Sequence, residues 1–279
     1  MVTRTFSPIR IAHSDMTSID EKRVYSDQEG TTTVFVATEL GVARVEVSGD
    51  IVGEFAIAHR CVARDVATAG GSLAVATAED VLDGDFSPLD FGPAVAVGFD
   101  GDSLVTAGEN GTLARYDGDW CELASLPEVR AIDGNLVATA DGVYQIVDDG
   151  VRHVGLDDVR DVSTDGVPLA ATADGLYWLG NGWMDALPGD FRVVNTTDEP
   201  TEIAYAGTAD TLFAKSGGEW RESVEWEDVA LPVDEPIAAV GFGNGVHTVT
   251  ESGTFLSSVG DGWRSRHLGL KGVRALAVR

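Results

Sequence analysis

Lysine is nearly absent from this 279-residue chain, with Lys22, Lys215 and Lys271 its only three. With 16 arginines they face 46 aspartates and glutamates, for a formal net charge of −27. That sign excludes general binding to nucleic acid or to an anionic membrane, which both require a basic face. Cysteine is scarce as well. Cys61 and Cys121 cannot build a disulfide framework or a cysteine-based zinc cluster. No run reaches 18 apolar residues, so no segment reads as a membrane-spanning helix. Capped segments of helical period are missing too, which argues against helical-repeat arrays. What remains is 44% hydrophobic residues, enough for a large core and too many for a disordered chain.

The carboxylates are spread along almost the whole chain, mostly at turns, instead of gathering in a tail. At ordinary ionic strength such self-repulsion destabilises a compact state. In molar salt the Debye length falls to about 3 Å and the repulsion largely vanishes. The composition therefore reads as a cytoplasmic protein of a salt-accumulating halophile. Residues 1–15 are slightly basic and carry no apolar signal-peptide core. They are expected to be a flexible N-terminal arm or an upstream extension, with Met16 as an alternative start and one folded domain over 16–279.

Internal repetition is the most informative feature. Runs such as LVATADG at 136–142 and LAATADG at 169–175 recur seven times, each a short strand ending in threonine and an acidic turn. From Thr38 to Thr250 the period is about 35 residues. Each unit holds short strands separated by Asp-Gly or Asn-Gly, which supply the positive φ of tight hairpin turns. Four antiparallel strands per unit is the content of a propeller blade. The expected fold is all-β, a seven-bladed β-propeller of four-stranded antiparallel blades. The C-terminal segment 271–279 resembles a first strand without a unit of its own. It is expected to join the N-terminal blade and close the ring, removing exposed sheet edges. Trp120, Trp183, Trp220 and Trp263 share one repeat position at the start of the fourth strand. They are expected to pack blade on blade.

Three segments, Ser18–Tyr25, Val36–Val42 and Ala58–Val66, resemble a haloarchaeal β-propeller family of unknown function. The resemblance spans residues 16–279 and implies a soluble propeller with no assigned active site. WD40, kelch and sialidase signatures are lacking.

The candidate site is a repeat-locked arginine on the first strands: Arg64, Arg130, Arg160, Arg192 and Arg274. In a propeller these strands line the central channel, so five guanidinium groups converge at one mouth. Each offers a planar fork to a carboxylate or phosphate. The alternative pairs them with acids of the turns between second and third strands, namely Glu39, Glu79, Asp141, Asp174, Asp210 and Glu251. Other constellations are weaker. His59 and Cys61 lack a third, orienting group. The segment from Asp83 to Ser87 fails as a calcium loop because position twelve is Ala94, and reads as an acidic hairpin in a shortened second unit. No catalytic motif is found, and no cofactor or metal is expected. The leading expectation is a non-catalytic scaffold for an unidentified protein partner, without nucleic acid or membrane. Its rival is binding or hydrolysis of a small anion at the channel mouth.

Overall fold

Gly101 and Gly134 adopt φ of +60° and +53° in the turns joining first to second strands, where the Asp-Gly pairs 100–101 and 133–134 require it. Strand and turn then alternate throughout the computed structural model. It describes residues 30–148, 150–197, 202–217, 220, 226–260 and 262–279. The arm expected at residues 1–15 lies outside them. No described residue is helical.

Seven antiparallel sheets follow one another as the blades of a propeller. Blade 1 comprises Thr31–Thr38, Gly41–Ser48 and Ile51–His59, with Ala275–Val278 as its innermost strand. The innermost strands of blades 2 to 7 are Ala63–Ala69, Ala94–Asp100, Val129–Asp133, Val159–Ser163, Val193–Thr197 and Ile237–Phe242. Closure runs as the sequence implies. Val34, Phe35, Val36 and Ala37 pair with Val278, Ala277, Leu276 and Ala275. Thr33 and Arg279 exchange backbone hydrogen bonds of 3.1 and 2.8 Å beyond the ladder. Blade 2 departs from the four-stranded expectation and has three strands. Its outer edge is occupied instead by a loop in which Asp83 accepts from the backbone N–H groups of Asp85 and Ser87. Leu82 bridges Pro88, and Leu89 donates to Val81.

The repeated threonine explains itself as a turn lock. Thr38, Thr139 and Thr172 donate through Oγ1 to the carbonyls of Gly41, Gly142 and Gly175 at 2.7–2.9 Å. The same hydroxyls accept from the N–H of Leu40, Asp141 and Asp174. A buried hydroxyl is thus fully used, as its burial demands. Gly41 sits at φ +132°, and a Cβ there would collide with the His59 carbonyl.

The core is a series of apolar seams between blades rather than one central mass. One seam joins blades 5 and 6 through Leu169, Leu176, Trp178, Phe191, Ala204 and Trp220. Phe191 is 0% exposed. Phe191→Ala is expected to cost about 3–5 kcal/mol, read as a lowered midpoint in chemical denaturation with an unchanged slope. The tryptophans behave as expected. Trp120 donates to Leu89 O of blade 2, and Trp183 packs against the buried cluster between blades 4 and 5 that holds Leu136, Val143 and Val159. Trp220 stacks toward Trp178 of blade 5, and Trp263 meets Tyr205 of blade 6 edge-on.

Candidate functional site

Around the axis, the innermost strands are laced to one another by side chains. Thr68 donates to Val278 O, Asn195 to Val240 O, and Ser163 shares a hydrogen bond with Thr196. Asp65 accepts from Val66 N at 2.8 Å and from Val97 N of the next blade at 2.9 Å. Asp161 does the same with Val162 N at 2.9 Å and Val194 N at 2.8 Å. Asp133 accepts the N–H and the hydroxyl of Thr164 across the blade 4–5 seam. Burial pushes the carboxyls of Asp65 and Asp161 up to about 7, against the downward pull of their two N–H donors. Burial, together with the nearby Asp165 charge, also raises Asp133. Elsewhere around the axis the innermost strands approach closely. A Cβ on Gly98 would lie 2.6 Å from Ile132 O, and one on Gly241 would strike Leu276.

These strands enclose an axial cavity of about 430 Å³, and all five candidate arginines line it. Their environments differ. Arg130 ion-pairs with Asp158 at 2.5 Å and Glu128 at 3.0 Å, and donates to Val159 O at 3.3 Å. Arg160 pairs with Asp190 at 2.5 Å and reaches Phe191 O. Arg64 pairs with Glu109 and donates to Ala94 O at 3.2 Å. Each therefore holds a carboxylate and a backbone carbonyl of the following blade. Arg192 stands 3.8 Å from Asp190 and 3.6 Å from Glu251, beyond hydrogen-bonding distance. Arg274 is exposed and has no ion pair among the described residues.

The pairing scheme read from the sequence is therefore corrected. Of the six acids expected as partners, only Glu251 approaches one of these arginines. Glu39, Glu79, Asp141, Asp174 and Asp210 make no ion pair among the described residues. An arginine at the start of a first strand lies nearest the first strand of the next blade. For Arg130 and Arg160 the acid that reaches them there stands two residues before the arginine position of that blade, as Asp158 and Asp190 do. Arg64 instead takes Glu109, an acid of the turn between the second and third strands. The buried aspartates went unread, although Arg64-Asp65-Val66 and Arg160-Asp161-Val162 repeat the same triplet.

The remaining histidines and thiols do not assemble. His59 stacks on Phe86, with ring centroids 5.0 Å apart, and burial raises the Cys61 thiol away from nucleophilic form. His247 is buried against Phe255 and shares a hydrogen bond with Ser257, and burial pushes its imidazole down to about 4. Among the described residues no group of three or more His, Cys, Asp or Glu side chains is placed to hold a metal ion.

Residues 18–279 match the family described as HVO_0234-like, beta propeller. The chain belongs to that family. The match covers nearly the whole of the region in which the sequence resembles a haloarchaeal propeller. No curated protein is a significant sequence match. Among solved structures, the computationally designed Ika8 protein is similar with a TM-score of 0.59 at 16% identity, covering 87% of this chain and 86% of its own. YCF48 from Cyanidioschyzon merolae gives 0.56 at 15% identity, covering 76% and 87%. YCF48 bound to D1 peptide gives 0.54 at 15% identity, covering 74% and 82%. At such identities the likeness concerns the fold alone. Within the family's fold, the arginine-lined mouth is thus defined by this chain's own residues.

Proposed function

We propose that this member of the family is a non-catalytic recognition scaffold, a rigid disc whose arginine-lined mouth receives an anionic group presented by a protein partner. The observation that carries the reading is the placement of Arg64, Arg130, Arg160, Arg192 and Arg274 on the wall of one open axial cavity. Guanidinium forks suit carboxylates and phosphates geometrically, and a concave mouth removes part of the screening that weakens such contacts on a flat surface. Peptide capture by a propeller of similar fold, YCF48 with its D1 peptide, is compatible with this use. A free small anion is the second reading, favoured by a cavity of about 430 Å³, within the roughly 300–1,000 Å³ of small-molecule sites. The dispersed charge of −27 supports a cytoplasmic role in a salt-rich cell.

The test is isothermal titration of the intact protein with three probes: a hexaglutamate peptide, citrate and inorganic phosphate. Saturable one-to-one binding of at least one probe is expected. Peptide binding far tighter than citrate or phosphate supports the partner reading, and the reverse supports the small anion. Heat changes no larger than dilution for all three overturn the proposal.

A further inference from the structure

The ring of arginines is uneven, and the unevenness follows a rule that can be read along the chain. An arginine is clamped when the next blade supplies an acid near its own first strand. Asp158 stands two residues before Arg160 and clamps Arg130, and Asp190 stands two residues before Arg192 and clamps Arg160. For Arg192 the equivalent residue on blade 7 is Pro236, and for Arg274 the equivalent residue on blade 2 is Val62. Neither can accept from a guanidinium through its side chain. Arg64 also faces such a gap, at Pro93, and fills it with Glu109 from the turn between the second and third strands of blade 3. The matching turn acid of blade 7, Glu251, stands 3.6 Å from Arg192 and ion-pairs with it without a hydrogen bond. Blade 7, between the two unclamped arginines, carries Ala238 where blades 4 and 5 carry Arg130 and Arg160. The equivalence is fixed by register, because the ladder skips Ala238, Arg130 and Arg160 alike.

We infer that blades 6, 7 and 1 form a discrete oxyanion-binding arc in which Arg192 and Arg274 flank the space above Ala238 and take one carboxylate or phosphate group between them. Resting on the recognition role proposed above, the inference places it on two of the five arginines. The Arg192 side chain is 41% exposed and Arg274 is exposed, so both forks are free to turn toward the axis. Ala238 and both arginines line the same cavity, so the space between them is continuous with it. The nearest competing charges are Asp190 and Glu251, at 3.8 and 3.6 Å from Arg192. At those distances they attract without hydrogen-bonding, so a ligand oxygen that makes the bond itself displaces nothing already made. The clamped arginines serve a different purpose. They hold blade to blade, and an anion would have to break their existing pairs.

The experiment is titration of wild type, Arg192→Ala, Arg274→Ala, Ala238→Glu and Arg130→Ala with hexaglutamate, citrate and inorganic phosphate. The first two substitutions remove exposed side chains and are expected to fold normally. Each is expected to weaken the tightest-binding probe about tenfold or more. Ala238→Glu keeps both arginines but sets a carboxylate between them, and is expected to abolish binding. Arg130→Ala removes a blade-to-blade ion pair and is expected to lower thermal stability, with a smaller loss of affinity than Arg192→Ala or Arg274→Ala causes. A peptide-only response assigns the anion to a polypeptide partner, and a response to citrate or phosphate alone assigns it to a free metabolite-like anion. Wild-type binding that survives Arg192→Ala and Arg274→Ala overturns the arc while sparing the wider reading. Failure of wild type to bind any probe overturns both.

Discussion

Deletion of residues 273–279 is expected to leave a chain that cannot reach a compact native state. The segment supplies the innermost strand of blade 1, and its loss strips Thr31–Thr38 of an entire ladder partner. Val273 and Leu276 leave one apolar seam, where they pack with Val36, Val249, Phe255 and Leu270. Ala277 leaves the next seam, beside Phe35, Val66 and Val75. Burial of Val273 and Leu276 alone is worth several kcal/mol, against a total stability of about 5–15 kcal/mol for a domain. The truncated protein is expected to elute as an expanded or aggregated species and to lose its near-ultraviolet circular dichroism. Addition of a synthetic 271–279 peptide is expected to restore part of that signal. A monodisperse truncated protein with native dichroism would show that closure contributes little.

The second large effect concerns Asp65 and Asp161. An unfolded aspartate titrates near 3.8, whereas burial places both carboxyls near 7 in the folded protein. Between those values the folded state holds protons that the unfolded state has released, so stability falls as pH rises from about 4 to 7. Each carboxyl accounts for about 4 kcal/mol across that window, because one proton held only by the folded state costs about 1.4 kcal/mol for every tenfold fall in proton concentration. His247 works in the opposite sense. Its imidazole stays neutral down to about 4, so stability is lost as pH falls from 6.5 toward that value. Comparison of wild type with Asp161→Asn in molar potassium chloride cancels His247, which is common to both, and screens surface charges, leaving Asp161 with its coupling to Asp133 and Asp65. The wild-type advantage is expected to be greatest near pH 4 and to shrink by about 4 kcal/mol by pH 8. An advantage independent of pH would mean that the two N–H donors hold Asp161 ionised throughout.

The propeller was legible because its signals are local and repeated. Asp-Gly pairs such as 133–134 sit where the backbone turns with positive φ, and Ala-Thr runs such as 138–139 sit where a buried hydroxyl closes a turn. The closing strand was legible because Val273–Leu276 copies Val129–Ile132 with no unit left to hold it. The absent fourth strand of blade 2 deceived the count for a physical reason. After Val81–Leu82 the chain turns on Asp83 and returns through Pro88, which cannot donate to a ladder. The arginines were legible as a set but not as individuals. Which acid reaches Arg130 depends on the offset between neighbouring blades, and that offset is a tertiary quantity. Asp65 and Asp161 were hidden by composition. Among 46 acidic residues, two that turn inward look like any others until the strand register is known.

Closure by the last strand also sets a schedule for the newborn chain. Val34 emerges about 240 residues before its partner Val278, a wait of roughly 12–50 s at ~5–20 residues per second of translation. Throughout that interval the flank of Thr31–Thr38 stands unpaired, facing a neighbour that has yet to be synthesised. Until the ring's own tail arrives to occupy the vacancy, that edge is open to pairing with the same strand of another nascent copy.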